Sequence, residues 1–240
     1  MSKFFRRDVK CASCNHQFNV ELALAIQTNR TLTARQEILD GRFQIFTCER
    51  CGHQMLIESS LIYTDFQRRH YVAVETLVGM PVDQALTRHH NVFARTFMNG
   101  PPVVREMGAA FTCRLVFGVR ALREKLLIWN AGLDDYVVEA IKGDLLSRWG
   151  LSPQEAELRV TGIIHGGHIV FGRWDPRPRP VRPDGDATCV PNSRPRDFET
   201  VPATAYAARA YNRERIAEDY AWLQKNWLVD ISEGPVFAIM

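Results

Sequence analysis

No apolar stretch of this sequence reaches the roughly 18–20 residues that a helix needs to cross a bilayer. The first residues, Met-Ser-Lys-Phe-Phe-Arg-Arg, also lack the apolar run of about 7–15 residues that a secretory signal carries. We therefore expect a cytoplasmic protein with no membrane partner. In that compartment its six cysteines are predicted to be thiols or metal ligands rather than disulfides.

The motifs of several common enzyme classes are missing as well. The sequence contains no glycine-rich phosphate loop, no nucleophile elbow and no HExxH pair. For this reason we assign no catalytic residue and no organic cofactor site, and we consider an enzyme less favoured than a non-enzymatic protein.

The charge is close to balanced. The 240 residues are 46% hydrophobic with a formal net charge of +3, which is typical of one or two globular domains. Residues 1–70 contain ten basic and seven acidic side chains, and four thiolates around one divalent zinc would lower that balance by two. Such a weak positive charge makes nucleic acid an unlikely partner.

Four cysteines form two CxxC pairs, Cys11 with Cys14 and Cys48 with Cys51, each followed by a similar sequence. In a zinc knuckle the residue after the second cysteine takes a left-handed backbone conformation, which Asn and Gly tolerate best. Asn15 and Gly52 occupy those two positions. We predict a zinc-ribbon-like β unit with one structural Zn²⁺ per chain, and its predicted ligands are Cys11, Cys14, Cys48 and Cys51.

Three alternatives to this site remain open. The CxxC pairs can be redox thiols, although a thioredoxin-type motif is normally single and opens a helix. The metal can be catalytic, although a closed four-sulfur shell leaves no position for substrate. His16 or His53 can replace one cysteine ligand, although four cysteines already complete the site.

The segment between the two pairs predicts secondary structure of its own. Alternating apolar residues predict a strand from Phe18 towards Asn29, and Thr33 with Gln36 has the spacing of a helix capping box. We expect a short helix at about 34–40, ended by Gly41. Further strands are predicted at 42–47, 54–58, 61–65 and 70–75.

Several stretches resemble the CpXC domain of bacterial and archaeal proteins. They are the two CxxC pairs, the segment Ile38-Leu-Asp-Gly-Arg-Phe, Cys-Gly-His after the second pair, and Leu61-Ile-Tyr-Thr-Asp. Two later stretches, Leu122-Arg-Glu-Lys-Leu and Gly132 to Lys142, resemble the region that follows this domain in longer members, so the resemblance covers about residues 8–145. The proline that names the motif is replaced by Ala12 and Glu49, which removes only a stiffening of the turn. The resemblance implies a metal site at the four cysteines and implies no activity.

Beyond residue 78 the pattern becomes mixed. Residues 83–97 predict a helix and 111–117 a strand that contains Cys113. One helix is predicted from Val119 to Gly132, and a second from its N-cap Asp134 to Gly150. Two helices joined by so short a connection predict an αα-hairpin. We interpret the charged residues along this hairpin as helix caps and helix ion pairs rather than as a catalytic group. They are Arg123, Glu124, Asp134, Asp135 and Glu139.

The last third of the chain combines a hairpin, a proline-rich segment and a C-terminal helix. Residues 158–164 and 169–174 predict a β-hairpin around His165-Gly-Gly-His168, whose two histidines are too few for a metal site. Residues 175–198 contain six of the twelve prolines and predict a linker or strap, with Cys189 as a free thiol. A helix at 204–225 and a strand at 227–231 complete the prediction.

These elements together predict an α+β protein in four segments. We expect the zinc-ribbon-like unit at 1–78, the αα-hairpin and β-hairpin region at 79–174, the strap at 175–199 and the C-terminal helix and strand at 200–240.

The first functional hypothesis is an interaction or scaffold protein, in which the ribbon presents strands and loops to a protein partner. The second is an enzyme with a site between the ribbon and the helical region, and the third is a nucleic-acid-binding zinc ribbon. Residues considered for the enzyme site are Tyr63, Asp65, Arg68, His70, Glu75 and Arg123.

Overall fold

The computed structural model describes residues 2–76, 80–176, 187–191, 193–224 and 227–233, and it has the predicted α+β class. The strands are β1 Lys3–Lys10, β2 Gln17–Gln27, β3 Ile45–Thr47, β4 Gln54–Ser59, β5 Leu61–Asp65, β6 His70–Glu75, β7 Thr112–Phe117, β8 Glu157–Ile164, β9 His168–Trp174, β10 Ala187–Pro191 and β11 Asp197–Val201. The helices are α1 Ala34–Leu39, α2 Val82–Phe93, α3 Pro102–Ala109, α4 Val119–Asn130, α5 Asp135–Arg148, α6 Ala203–Tyr211 and α7 Arg213–Asp219. Among the described residues no helix is both long and apolar enough to span a membrane.

Residue contacts divide the chain into two units. The first comprises residues 1–122 and 179–193, and the second comprises residues 123–178 and 194–240. These boundaries differ from the four segments expected at 1–78, 79–174, 175–199 and 200–240, and that division stays a prediction.

The larger sheet of the first unit has five strands in the order β1-β2-β5-β6-β7. Strands β1 and β2 form an antiparallel hairpin, as do β5 and β6, whereas β6 and β7 are parallel. Parallel neighbours need a long crossover connection, and here it contains α2, a π-helix at Ala94–Met98, and α3. At the end of β7, the Val119 N–H that begins α4 donates to a carboxylate oxygen of the buried Glu58 (3.3 Å), which satisfies an orphan donor of that helix.

A second sheet of the first unit has the order β10-β4-β3. Strand β10 lies inside the segment expected to be a linker or strap, and it pairs antiparallel with β4 from Ala187 opposite Ser59 to Pro191 opposite Met55. Nothing in the local sequence predicted this strand. The side chain of Cys189 lies outside the described residues.

The short helix between the two cysteine pairs forms as predicted, at Ala34–Leu39. Its predicted capping box is wrong, because Thr33 has helical backbone angles and its side chain makes no capping hydrogen bond. The first turn is instead joined to Thr33 through the backbone, where the Glu37 N–H donates to the Thr33 carbonyl (2.9 Å).

The second unit is built on a three-stranded sheet of order β11-β9-β8 and on helix α5. The predicted hairpin of β8 and β9 forms, and the side chain of Asp134 caps α5 by accepting from the Tyr136 N–H (2.9 Å). Its apolar core combines α5 and the sheet with the C-terminal region, and includes Val201, Ile216 and Leu223. Residues from the last 45 of the chain are therefore part of the core of this unit.

The C-terminal region differs from its prediction in two ways. The single helix expected at 204–225 is two helices, α6 and α7, because Asn212 leaves the helical region with φ −95° and ψ 39°. The strand expected at 227–231 is wrong. There the Val229 carbonyl accepts from the Lys125 ammonium and the Ile231 N–H donates to Glu139 (2.9 Å), so these backbone groups bond to side chains instead of to another strand.

Candidate metal centre

The two CxxC pairs lie in the turns of two β-hairpins. Strands β1 and β2 pair as far as Lys10 opposite Gln17, and β3 and β4 pair as far as Thr47 opposite Gln54. Each turn is therefore six residues long, 11–16 in one hairpin and 48–53 in the other. The same placement in both hairpins brings two cysteines from each turn to a common point.

The same two backbone hydrogen bonds close each turn. They join the Cys11 N–H to the His16 carbonyl (2.8 Å), the Asn15 N–H to the Cys11 carbonyl (2.9 Å), the Cys48 N–H to the His53 carbonyl (2.9 Å) and the Gly52 N–H to the Cys48 carbonyl (2.8 Å). The repeat agrees with the pseudo-twofold arrangement that the sequence predicts.

The backbone of the residue after each CxxC is left-handed, with φ 57° at Asn15 and φ 71° at Gly52. This conformation reverses the chain immediately after the second cysteine and starts the outgoing strand. The prediction made from the residue types at these two positions is confirmed.

The four cysteine sulfurs form a compact group in which all lie within 4.8 Å of one another. Cys11 Sγ is 3.6 Å from Cys51 Sγ, and Cys14 Sγ is 3.7 Å from Cys48 Sγ. These distances are too long for disulfides, whose S–S bond is about 2.05 Å. A tetrahedron with metal–sulfur bonds of about 2.3 Å has sulfur–sulfur edges of about 3.8 Å, so the group fits one four-coordinate ion.

The surroundings of the sulfurs favour a held ion over an exposed reactive thiol. Cys11 and Cys48 are buried and pack with the fully buried Met55 in a small core of their own. The Ser13 N–H points at Cys11 Sγ (3.4 Å), and such N–H groups stabilise negative charge on a thiolate.

The cluster carries two thiols with opposite pKa shifts. Burial opposes ionisation of Cys11, but hydrogen bonds from the Cys14 and Ser13 N–H groups and from the neighbouring sulfurs lower its pKa to about 6. The Cys14 thiol is approached by the His16 N–H, which favours its thiolate, yet burial and the other three sulfurs raise its pKa to about 12. Negative charge on one sulfur therefore opposes ionisation of its neighbours, and a divalent ion would offset that repulsion.

The histidines considered as ligands lie outside this group. His16 is half-buried and stacks on Phe18 with ring centroids 6.3 Å apart, and His53 is exposed. Within the part of the chain that the structure describes, the four cysteines are the only group of three or more His, Cys, Asp or Glu side chains that can share an ion, so His165 and His168 belong to no such group.

Four of the residues considered for an enzyme site, Tyr63, Asp65, Arg68 and His70, lie near the turn between β5 and β6, and Glu75 lies apart from them. Asp65 is fully buried at the turn between β5 and β6, where it accepts from the Arg68 backbone N–H (3.0 Å) and lies 3.4 Å from the Tyr63 hydroxyl. His70 is opposite Asp65 in the ladder, and Glu75 lies five residues further along β6, a separation of about 17 Å. Arg123 belongs to the second unit.

Glu75 takes part in a polar group that the sequence did not suggest. Its carboxylate accepts from the Ser60 hydroxyl (2.5 Å) and lies 2.7 Å from His89 Nε2 and 3.3 Å from Arg88 Nη1. Burial favours the neutral acid, but these hydrogen bonds and the neighbouring positive charge lower the pKa of Glu75. The contacts connect α2 to the end of β6.

A larger group of buried charges occurs inside the second unit, and it was also missed. Its members are Glu124, Lys125, Asp135, Glu139, Lys142, Glu157, Arg159 and Asp230, all at most 8% exposed. Six of them form a chain of alternating charge through contacts of Lys125 with Glu139 (2.9 Å), Glu139 with Lys142 (2.9 Å), Lys142 with Glu124 (2.8 Å), Glu124 with Arg159 (3.0 Å) and Arg159 with Asp230 (2.6 Å). We call this the buried ionic chain.

The charges of the buried ionic chain shift the pKa values of two of its members. Burial favours neutral Asp230, but the charges of Arg159, Lys142 and Lys125 keep the pKa of this carboxyl well below its usual range. In the same way, nearby carboxylates outweigh desolvation and raise the pKa of Lys125. The expected pairing along a helix occurs between Glu139 and Lys142 of α5. Glu124 of α4 instead pairs with Lys142 of α5, and Asp135 of α5 pairs with Lys125 of α4.

Comparison with known proteins identifies a family that the chain matches. The family model described as CpXC protein matches residues 9–142, which is more than half of the chain and includes all four cysteines. No curated protein and no solved structure matches the chain significantly.

Proposed function

Starting from the fact that the chain belongs to the CpXC protein family, we propose that it is a zinc-stabilised interaction or scaffold protein whose four cysteines hold one structural Zn²⁺. The observation that carries the proposal is the sulfur group, with four Sγ atoms within 4.8 Å of one another. Cys11, Cys14, Cys48 and Cys51 are the proposed ligands.

The donor set supports zinc and a structural role. Thiolates are soft ligands, and four of them in a tetrahedral arrangement are typical of structural zinc. An ion bound by all four has no open position for substrate or water. The bound ion would crosslink the two hairpins, since each hairpin contributes two sulfurs.

Redox chemistry has less support from the same geometry. The shortest sulfur contacts join cysteines of different turns, Cys11 with Cys51 and Cys14 with Cys48, rather than the two members of one CxxC. Both pairs also lie in β-hairpin turns and not at the N-terminus of a helix, where a dipole would activate a thiol.

The interaction role is supported by the exposed surface of the β1–β2 hairpin. Phe4 and Leu24 are 45% and 50% exposed, and a bound protein would remove their apolar surface from water. The partner that we propose is a protein, and a cytoplasmic location is part of the same proposal.

Nucleic-acid binding is disfavoured by the charges on this hairpin. Basic residues on the outward face of β1 lie opposite or beside acids, with Arg6 opposite Glu21 and Asp8 between Arg6 and Lys10. We expect random-sequence DNA or RNA to bind no tighter than about 10⁻⁴–10⁻⁶ M at physiological salt, the range of unspecific contacts. Fluorescence anisotropy over a series of salt concentrations tests this, and a nanomolar affinity with a steep salt dependence would favour the nucleic-acid hypothesis instead.

The proposed metal is tested by elemental analysis of protein purified without added zinc. We expect one zinc per chain, because the four cysteines form a single tetrahedral site. Iron or no metal in a folded sample, or two ions per chain, would contradict the proposal. X-ray absorption at the zinc edge provides a second measurement, with four sulfur neighbours at about 2.3 Å as the expected shell.

A further inference from the structure

A groove crosses the surface of the second unit between α5 and the helices α6 and α7. It has a volume of about 500 Å³, within the range of small-molecule sites. Its floor is apolar and contains the buried side chains of Ile141, Leu145 and Val201. The facing residues of α6 include Ala205 and Ala208, whose short side chains leave the space between the helices open.

Charged side chains around this groove are unevenly neutralised. Arg209 is shared by two acids, with Nε 3.1 Å from Asp144 and Nη2 2.8 Å from Asp219. Arg148 and Arg215 also line the groove, are exposed, and form no ion pair within the part of the chain that the structure describes. The positive charge of Arg148 favours the ionised form of Asp144, which lies four residues earlier in α5. The charge of Arg209 favours the same ionised form more strongly. The groove thus has a net positive rim with two available guanidinium groups.

We propose that this groove binds an amphiphilic anion, an apolar chain that carries a carboxylate or phosphate head group. The chain would lie against the exposed Ala205 and Ala208, above the floor residues Ile141, Leu145 and Val201, and the head group would bond to Arg148 and Arg215. Planar guanidinium groups match carboxylate and phosphate oxygens in a bidentate manner, and apolar contacts of the chain add affinity that the head group alone lacks.

This site goes beyond the proposed function and is independent of the metal centre. Every groove residue belongs to the second unit, and all except Ile141 lie outside residues 9–142, the part matched by the family model. Zinc content, measured on the same samples, tests the metal proposal separately, so failure of one proposal is distinguishable from failure of the other.

The test uses the full-length protein, ¹⁵N labelled, with octanoate as the probe. Octylammonium has the same chain and the opposite charge, and acetate has the head group without the chain. We expect octanoate to shift the amide signals of groove residues such as Ala205, Ala208 and Asn212 saturably, with much weaker effects from the other two ions. Equal shifts from octanoate and octylammonium, or shifts that do not saturate, would overturn the proposal.

Two variants locate the head group. Arg148→Gln/Arg215→Gln is expected to weaken octanoate binding at least tenfold, since it removes both guanidinium groups that would bond to the head group. The matched control is Arg105→Gln, an exposed arginine on α3 of the first unit, which should leave the affinity unchanged. An unchanged affinity in the double variant would overturn the assigned head-group site. If the double variant misfolds, which its amide spectrum shows, the comparison of octanoate with octylammonium on the unaltered protein decides.

Discussion

Replacing Cys14 by serine is expected to abolish zinc binding and to unfold the N-terminal β unit, approximately residues 1–78. Serine is a poor zinc ligand, and the remaining three sulfurs cannot complete the tetrahedral shell. Structural zinc contributes folding free energy on the order of 10 kcal/mol or more, comparable with the whole stability of a small domain. The measurement combines metal analysis with the amide spectrum of β1–β4, where dispersed signals should collapse. Cys51→Ser should behave in the same way.

Cys113→Ser provides the matched control for this prediction. Cys113 is a half-buried residue of β7 and does not belong to the sulfur group. Burial raises the pKa of its thiol to about 12, so it is neutral at physiological pH and contributes no charge that serine would remove. We expect this variant to keep one zinc per chain and a native amide spectrum. Zinc retained by Cys14→Ser, with the β unit still folded, would show that the sulfur group is not a metal site that stabilises this unit.

The clustering of the four cysteines could be predicted because its determinants are local in the sequence. Each CxxC fixes two donors within one turn, and the following residue, Asn15 or Gly52, reports the left-handed backbone that the turn needs. The hairpins around the turns follow from strand patterns a few residues away. Only the approach of the two turns to each other depends on tertiary structure. The similar sequence after each CxxC pair already indicates that the two turns share one site.

The buried ionic chain could not be predicted, since its partners are far apart in the sequence. Lys125 bonds to the carbonyl of Val229, 104 residues later, and Arg159 bonds to Asp230, 71 residues later. Charged residues on a helix normally face solvent, so nothing in the local sequence marks Glu139 and Lys142 on α5 as buried. In the structure every residue from 135 to 143 of this helix is buried. Strand β10 was missed for the same reason, because its partner β4 lies more than 120 residues earlier in the chain.

Replacing Lys142 by methionine is expected to destabilise the second unit by about 3–5 kcal/mol, the range measured when one partner of a buried ion pair is removed. Lys142 is fully buried between Glu124 and Glu139, and methionine fills similar volume without the charge. The loss leaves two buried carboxylates with one cation fewer. All five tryptophans lie in residues 123–178 or 194–240, so urea unfolding followed by tryptophan fluorescence reports on this unit.

Two comparisons separate the buried charge from a general effect of losing a cation. Arg196→Met removes an exposed pair with Asp175 (2.6 Å) in the same unit, for which we expect a loss of about 0–1 kcal/mol. The double variant Glu139→Gln/Lys142→Met should be less destabilised than the sum of its single variants, because it also removes a carboxylate that has lost one of its two cations. Glutamine keeps an oxygen that can accept from the Ile231 N–H, now bonded to Glu139, so the C-terminal segment retains that contact. A loss below about 1 kcal/mol for Lys142→Met would be as small as the loss at a surface ion pair. It would mean that water reaches the carboxylates and that the buried ionic chain is not excluded from solvent.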